Sequence, residues 1–255
     1  MIQGADQILV MLYNGQLAVA DVVGLDAETD LAVLYVELEN IRAISIGDPN
    51  SAQVGDVTLA IGNPFGFGQS VTQGIISATG RNLVDLSNLV NFLQTDAAIN
   101  DGNSGGALVD AYGNLLGINS RKLESNGSVG LGFAIPADVA LKVVKDIVEQ
   151  GKVVRGWLGI EARQLTDEAS ESIGIKHGGA MVVTGLYPGG PGHRAGLEVG
   201  DIIVKANDRD IIDGRRIINM IASARPGEKM AFEILRGGQP LSVTAEVDLR
   251  PDQPL

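Results

Sequence analysis

Cysteine is absent from the 255 residues, so neither a disulfide framework nor a thiolate metal site can form. A chain this long buries enough core to do without cross-links, which leaves the redox compartment open. Histidine is nearly absent, with His177 and His193 its only copies, and aromatic residues make up 4%. No apolar run reaches the length of a membrane-spanning helix. The opening Met1-Ile2-Gln3-Gly4-Ala5-Asp6 lacks the basic flank and apolar centre of a signal peptide. Positive charge is also short: 19 Lys and Arg stand against 31 Asp and Glu, a formal net charge of -12. Such a surface cannot neutralise phosphates, which argues against nucleic acid and anionic lipid as partners. No His, Asp and Glu grouping has ligand spacing, so no metal or cofactor is expected. Gly62, Gly66 and Gly68 resemble a phosphate loop only loosely, and no helix follows them.

What is present is glycine, 34 residues of it, spread among short Val and Ile runs. The expected fold is mainly β, in two domains, residues 1–150 and 151–255, with the boundary near 152–156. Apolar runs at 7–12, 18–25, 31–36, 57–62 and 71–78 predict strands. Asn14-Gly15 predicts a type I′ hairpin turn and residues 111–114 a second turn. Val139, Val143 and Ile147 fall four apart and predict a helix over 136–150, its apolar face widened by Val144 and Val148. The second half mixes strands at 179–186, 201–206, 229–235 and 241–247 with a helix near 215–224.

The most telling segment is Asp101-Gly102-Asn103-Ser104-Gly105-Gly106. Acyl transfer needs a serine oxygen presented in the open and N–H groups aimed at the developing oxyanion. Flanking glycines permit the tight backbone and close substrate approach that this requires. A Gly-rich hairpin turn is the plain alternative. The segment looks like the nucleophile loop of a trypsin-like serine protease, with Gly102, Asn103 and Ser104 forming the oxyanion loop.

A wider set of segments resembles the HtrA family of serine proteases, and within it the DegS/AlgW type. They are Thr29-Asp30-Leu31-Ala32-Val33-Leu34, Ala60-Ile61-Gly62-Asn63-Pro64-Phe65-Gly66, residues 71–81, Phe92-Leu93-Gln94-Thr95-Asp96-Ala97 and Gly130-Leu131-Gly132-Phe133-Ala134-Ile135-Pro136. The resemblance implies a trypsin-like double β-barrel with Ser104 as nucleophile and Asp30 as the carboxylate that orients the histidine base. It places Ala98, Asn119 and Phe133 around the substrate pocket. No acidic residue stands six positions before Ser104, so a small apolar side chain such as Val is expected before the cut bond. Arg81 matches the family position that relays regulation.

The base itself is missing. Aligned on Ala5-Asp6-Gln7-Ile8-Leu9-Val10, the family's histidine falls one residue before Met1, and the first strands of the N-terminal barrel are missing with it. His177 and His193 lie in turns of the second domain. The chain as given is therefore expected to be nearly inactive and poorly stable, with exposed strand edges. A start site taken at an internal Met, a fragment and a true pseudoprotease all fit.

Gly156-Trp157-Leu158-Gly159-Ile160 and residues 190–203 resemble the carboxylate-binding loop and core of a PDZ domain. The resemblance implies capture of a C-terminal carboxylate by free N–H groups and addition of the peptide as an extra strand. The last side chain would enter a slot between Ile160 and a helix bearing Ile217, Met220 and Ile221. Trp157, Leu158, Gly159 and Ile160 form the loop. The implied function is a periplasmic stress-response endopeptidase, trimeric and membrane-anchored when full length. It would act on protein substrates under control of unfolded outer-membrane-protein C-termini. The alternative is a non-catalytic PDZ peptide-binding adaptor.

Overall fold

Apolar runs cut every few residues by Gly, Asn or Asp can bury themselves only as sheet. A computed structural model of the chain has this form; it describes residues 2, 4–39, 41–63, 68–83, 87–122, 130–175, 179–211 and 214–251. The chain divides into two units, Met1–Val153 and Val154–Leu255.

In the first unit, β1 (Ile8–Met11), β2 (Leu17–Asp26) and β3 (Leu31–Val36) form an antiparallel three-stranded sheet. The next six strands close a barrel: β4 (Val57–Gly62), β5 (Ser70–Leu83), β6 (Ser87–Thr95), β7 (Ala107–Asp110), β8 (Leu115–Lys122) and β9 (Gly132–Pro136), in the order β4-β5-β6-β9-β8-β7. Ala60, Ile76, Leu93, Leu108, Leu116 and Ala134 fill its interior. All five β9 residues are buried, because α1 (Ala137–Gln150) packs against a strand that already faces the barrel. Gly151, at φ 74°, ends α1 by donating to the Ile147 carbonyl. The buried residues of α1 are Ala137, Ala140, Val143, Asp146 and Ile147, whereas Val144 and Val148 are exposed at 41% and 62%, so the expected widening of the apolar face is corrected. A side chain at Gly24 of β2 would press to 2.6 Å from Ile147 Cγ2. Its bare backbone is what lets α1 seat on the three-stranded sheet.

The hairpin at Asn14-Gly15 is not type I′. Only Gly15 has positive φ, at 83°; Leu12 N–H donates to the Gln16 carbonyl and Gly15 N–H to that of Leu12. This is the three-residue loop with one left-handed glycine. Gly113, at φ 84°, makes the same turn between β7 and β8.

In the second unit, β10 (Gly156–Trp157) pairs with β17 (Asp248–Leu249). The main sheet runs β11 (Ile160–Gln164), β12 (Met181–Leu186), β13 (Ile202–Ala206), β15 (Lys229–Arg236), β16 (Gln239–Glu246), with β14 (Arg209–Asp210) off β13. Asn207 and Asp208, at φ 47° and 60°, make the type I′ turn between β13 and β14. Helices α2 (Asp167–Ser172), α3 (Pro191–Arg194) and α4 (Gly214–Ser223) complete the unit. His193 therefore sits on a short helix rather than in a turn, and His177 lies outside the described residues. The core is built on Leu158, Val183, Ile203, Met230, Phe232 and Ile234.

Candidate functional site

The loop from β6 to β7 carries Ser104 on a frame of hydrogen bonds. Asn103 is the keystone: it is 2% exposed, donates from N–H to the Asn100 carbonyl (2.9 Å) and from Nδ2 to that of Ala98 (3.1 Å), and accepts from Gly106 N–H (2.9 Å). Gly105 N–H donates to Asn119 O and Asn119 N–H to Gly106 O, both at 2.8 Å, tying the loop to β8. The Asn119 side chain, buried as well, donates to the carbonyls of Ile61 (3.2 Å) and Ala107 (3.1 Å). Gly102 adopts φ 98° and accepts from Asn63 N–H at 3.2 Å.

Two consequences follow for chemistry. Asn103 N–H is committed within the turn, whereas those of Gly102 and Ser104 donate to no protein acceptor among the described residues. The half-buried Ser104 hydroxyl donates to the Ser120 carbonyl at 2.5 Å. Glycine is required at 106, where a Cβ would collide with the Ile61 carbonyl and stand 2.9 Å from that of Asn103.

The other expected site residues fall at different depths. Ala98 is exposed and adjoins this frame through its carbonyl, which also accepts from Thr72 Oγ1 at 2.9 Å. Phe133 is buried on β9, edge-on to Phe92 with ring centres 6.3 Å apart. Arg81 Nε donates to Gln94 Oε1 at 3.1 Å across β5 and β6. Asp30 is exposed at the end of the four-residue β2–β3 loop, at φ 57°, a region that side chains other than glycine seldom enter. Buried Thr29 braces that loop, its hydroxyl donating to Asp26 Oδ2 at 2.5 Å. Among the described residues, no group of three or more His, Cys, Asp or Glu is gathered as for a metal ion.

In the second unit, β11 is an edge strand, hydrogen-bonded among the described residues to β12 alone. Helix α4 touches the β10–β11 segment at its two ends. At one end Gly214 N–H approaches Gln164 Oε1 (3.4 Å); at the other, a Cβ on Gly156 would meet the carbonyls of Ile221 and Ala224. Trp157, Leu158, Gly159 and Ile160 close this second end. Leu158 is buried, Gly159 takes φ 64°, and Trp157 meets Tyr187 edge-on at 5.4 Å. Ile217 is buried in the core, whereas Ile160, Met220 and Ile221 are only partly covered and pack against that core. Leu158 and Gly159 N–H donate to no protein acceptor among the described residues.

The sequence reading passed over the Ser120 carbonyl, the Thr29–Asp26 brace and His193. The first is main chain and carries no residue signal. The second was half legible, since Thr29 belongs to the quoted Thr-Asp-Leu segment. The third was expected only as a turn residue of the second domain.

Residues 2–118 match the trypsin-like peptidase domain family and residues 156–247 the PDZ domain family. The serine endoprotease DegS of Haemophilus influenzae is 42% identical over 98% of this chain, which spans 72% of its length. A probable periplasmic serine endoprotease, DegP-like, of Pseudomonas savastanoi pv. phaseolicola is 41% identical over 99% of the chain, which spans only 53% of that relative. Among solved structures, the HtrA-type protease AlgW with a tripeptide superposes with a TM-score of 0.87 at 52% identity, covering 99% of this chain and 84% of that one. A serine endoprotease from Yersinia pestis superposes with a TM-score of 0.72 at 40% identity, covering 98% and 82%.

Proposed function

Since the chain belongs to the HtrA-type serine endoproteases, a trypsin-like peptidase unit joined to one PDZ unit, we propose that it represents a peptide-regulated endopeptidase. Ser104 is its nucleophile. The observation that carries this reading is the loop frame: Asn103 is locked in the turn while Gly102 and Ser104 keep open N–H groups on either side of it. Two such donors are what a tetrahedral oxyanion needs.

In the proposed reaction the Ser104 oxygen attacks the peptide carbonyl while an imidazole takes its proton, and Asp30 holds the imidazole's other nitrogen. Asn119 and Phe133 are buried behind the pocket and Ala98 stands at its rim, favouring small apolar side chains before the cut bond. No histidine occurs in residues 1–153. This chain by itself is thus proposed to be nearly inactive, since loss of the base lowers turnover by about 10⁶, or roughly 8 kcal/mol of barrier.

The PDZ unit is proposed to bind peptide C-termini along β11. The open strand edge, the N–H groups of Leu158 and Gly159 and the partly covered Met220 and Ile221 support this. Arg81, bonded to Gln94 in the strand pair leading to the nucleophile loop, is the proposed relay. Periplasmic action on misfolded or regulatory proteins, as a trimer, completes the proposal; relatives named periplasmic endoproteases support the compartment. Among the described residues no helix is long and apolar enough to cross a membrane.

A fluorophosphonate probe tests the core of the reading. A protein with an imidazole restored upstream of Met1 should label at Ser104 and lose labelling in Ser104→Ala, whereas the 255-residue chain should label little. No labelling in the restored protein would leave the adaptor reading.

A further inference from the structure

The loop Trp157-Leu158-Gly159-Ile160 does not hold its shape alone. It leans on the segment from Tyr187 to α3. Tyr187 N–H donates to the Gly159 carbonyl (2.9 Å) and Gly192 N–H to that of Leu158 (2.7 Å). The fit is close: a Cβ on Gly192 would stand 2.6 Å from Ile160 Cγ2, and one on Gly159 would stand 3.1 Å from the Trp157 ring and 3.3 Å from Tyr187 Cβ. The supporting turn reverses at Gly189, at φ 73°, and its N–H donates to Nδ1 of His193 at 3.2 Å.

That bond requires an imidazole without a proton on Nδ1. A protonated ring carries N–H on both nitrogens, so Nδ1 becomes a donor facing another donor. We propose that His193 is a positioning residue for the Trp157–Ile160 loop, and that its protonation releases the Gly189 turn and with it the loop. Resting on the PDZ reading, the consequence is that a C-terminal carboxylate binds more weakly once the His193 ring carries a proton on both nitrogens.

The surrounding charges leave His193 as the group free to respond. Arg194, on the same helix, is committed to the Gly189 carbonyl (2.7 Å) and to Asp248 of β17 (2.9 and 3.1 Å). Glu198 and Asp201, on the loop after α3, are both taken by Arg236 of β15. Glu246 is the carboxylate on β16, the strand against which α3 packs. Among the described residues none of these carboxylates is ion-paired with His193.

The chain supplies its own reporter, because Trp157 is its one tryptophan. Trp157 emission and the binding of a fluorescein-labelled decapeptide ending in Phe, with a free carboxylate, are followed between about pH 5.5 and 8. In the unaltered chain the emission should shift and the affinity fall about threefold to tenfold toward acid, the range expected for loss of one hydrogen bond. His193→Gln offers a neutral amide oxygen to Gly189 and should flatten both curves with high affinity retained. His193→Lys, with no acceptor, should bind weakly throughout. An emission shift that persists in His193→Gln, or none in the unaltered chain, overturns the proposal. If no variant binds peptide near pH 8 while the His193-dependent emission shift remains, the PDZ reading fails and the His193 device stands.

Discussion

The hydroxyl of Ser104 donates to the main-chain carbonyl of Ser120 at 2.5 Å. A short bond of this kind holds the oxygen on the β8 side of the loop, and in the proposed reaction an imidazole would replace it before the hydroxyl lost its proton. Removing the hydroxyl removes one half-buried bond and leaves the Asn103 frame untouched. Ser104→Ala should therefore change unfolding free energy by no more than about 1 kcal/mol. It should abolish fluorophosphonate labelling in the histidine-restored protein. Chemical denaturation and intact-mass spectrometry check the two halves; a collapse in stability would mean that Ser104 is a structural residue.

The frame itself tolerates less. A Cβ at Gly106 meets the Ile61 carbonyl, a backbone atom of β4 that cannot swing away. At Gly105 a Cβ meets nothing within 4 Å, but the residue needs φ 85°. Gly106→Ala should destabilise the first unit by about 2–3 kcal/mol through overpacking. Gly105→Ala should lose about 1–2 kcal/mol through backbone strain alone. Urea unfolding ranks them, and the reverse order would refute the packing argument.

In the second unit, Asp201 is 1% exposed and bonds to Arg236 Nε (2.7 Å) and Nη2 (2.8 Å) and to Glu198 N–H (2.8 Å). Burial pushes its carboxyl upward. The Arg236 hydrogen bonds, the Glu198 N–H and the Arg236 charge outweigh burial and hold it below the ordinary carboxylate range. A carboxyl lowered in the folded state stabilises above its unfolded pKa, and this is lost as pH falls through the folded value. Stability of the unit should thus be level near neutrality and decline below about pH 4. Asp201→Asn should flatten that decline and lower stability at neutral pH by about 1–3 kcal/mol. Urea midpoints measured across pH decide it.

Much of this fold was legible because short apolar runs are cut by turn residues. Leu31–Val36 and Val57–Gly62 are strands at the expected bounds. Strand β9 carries no alternation, since helix and barrel bury both its faces. Helix α2 was passed over although Thr166 is its cap, its hydroxyl accepting from Ala169 N–H, with Asp167 and Glu168 in the first turn. That is a readable start signal. The type I′ turn was expected at Asn14-Gly15 and lies instead at Asn207-Asp208, two side chains that tolerate positive φ without glycine. At the candidate site, the glycine-bounded loop around Ser104 could be read because its tight backbone restricts which residues fit there. The positive φ of Asp30 and the Ser120 acceptor could not, because backbone geometry set by tertiary packing leaves no residue type behind.

Gly159 combines φ 64° with a Cβ direction blocked by the Trp157 ring at 3.1 Å and by Tyr187 at 3.3 Å. An alanine there must push the indole off Tyr187 or rotate the peptide units whose N–H groups face the groove. Either movement should spoil the proposed carboxylate capture more than it harms the core, because Leu158 beside it stays anchored among buried side chains. Gly159→Ala should weaken binding of the Phe-terminated decapeptide at least about tenfold while lowering stability by only about 1–2 kcal/mol. Fluorescence polarisation and urea unfolding on the same preparation separate the two effects. Full peptide affinity in this variant would show that the carboxylate is held somewhere other than this loop.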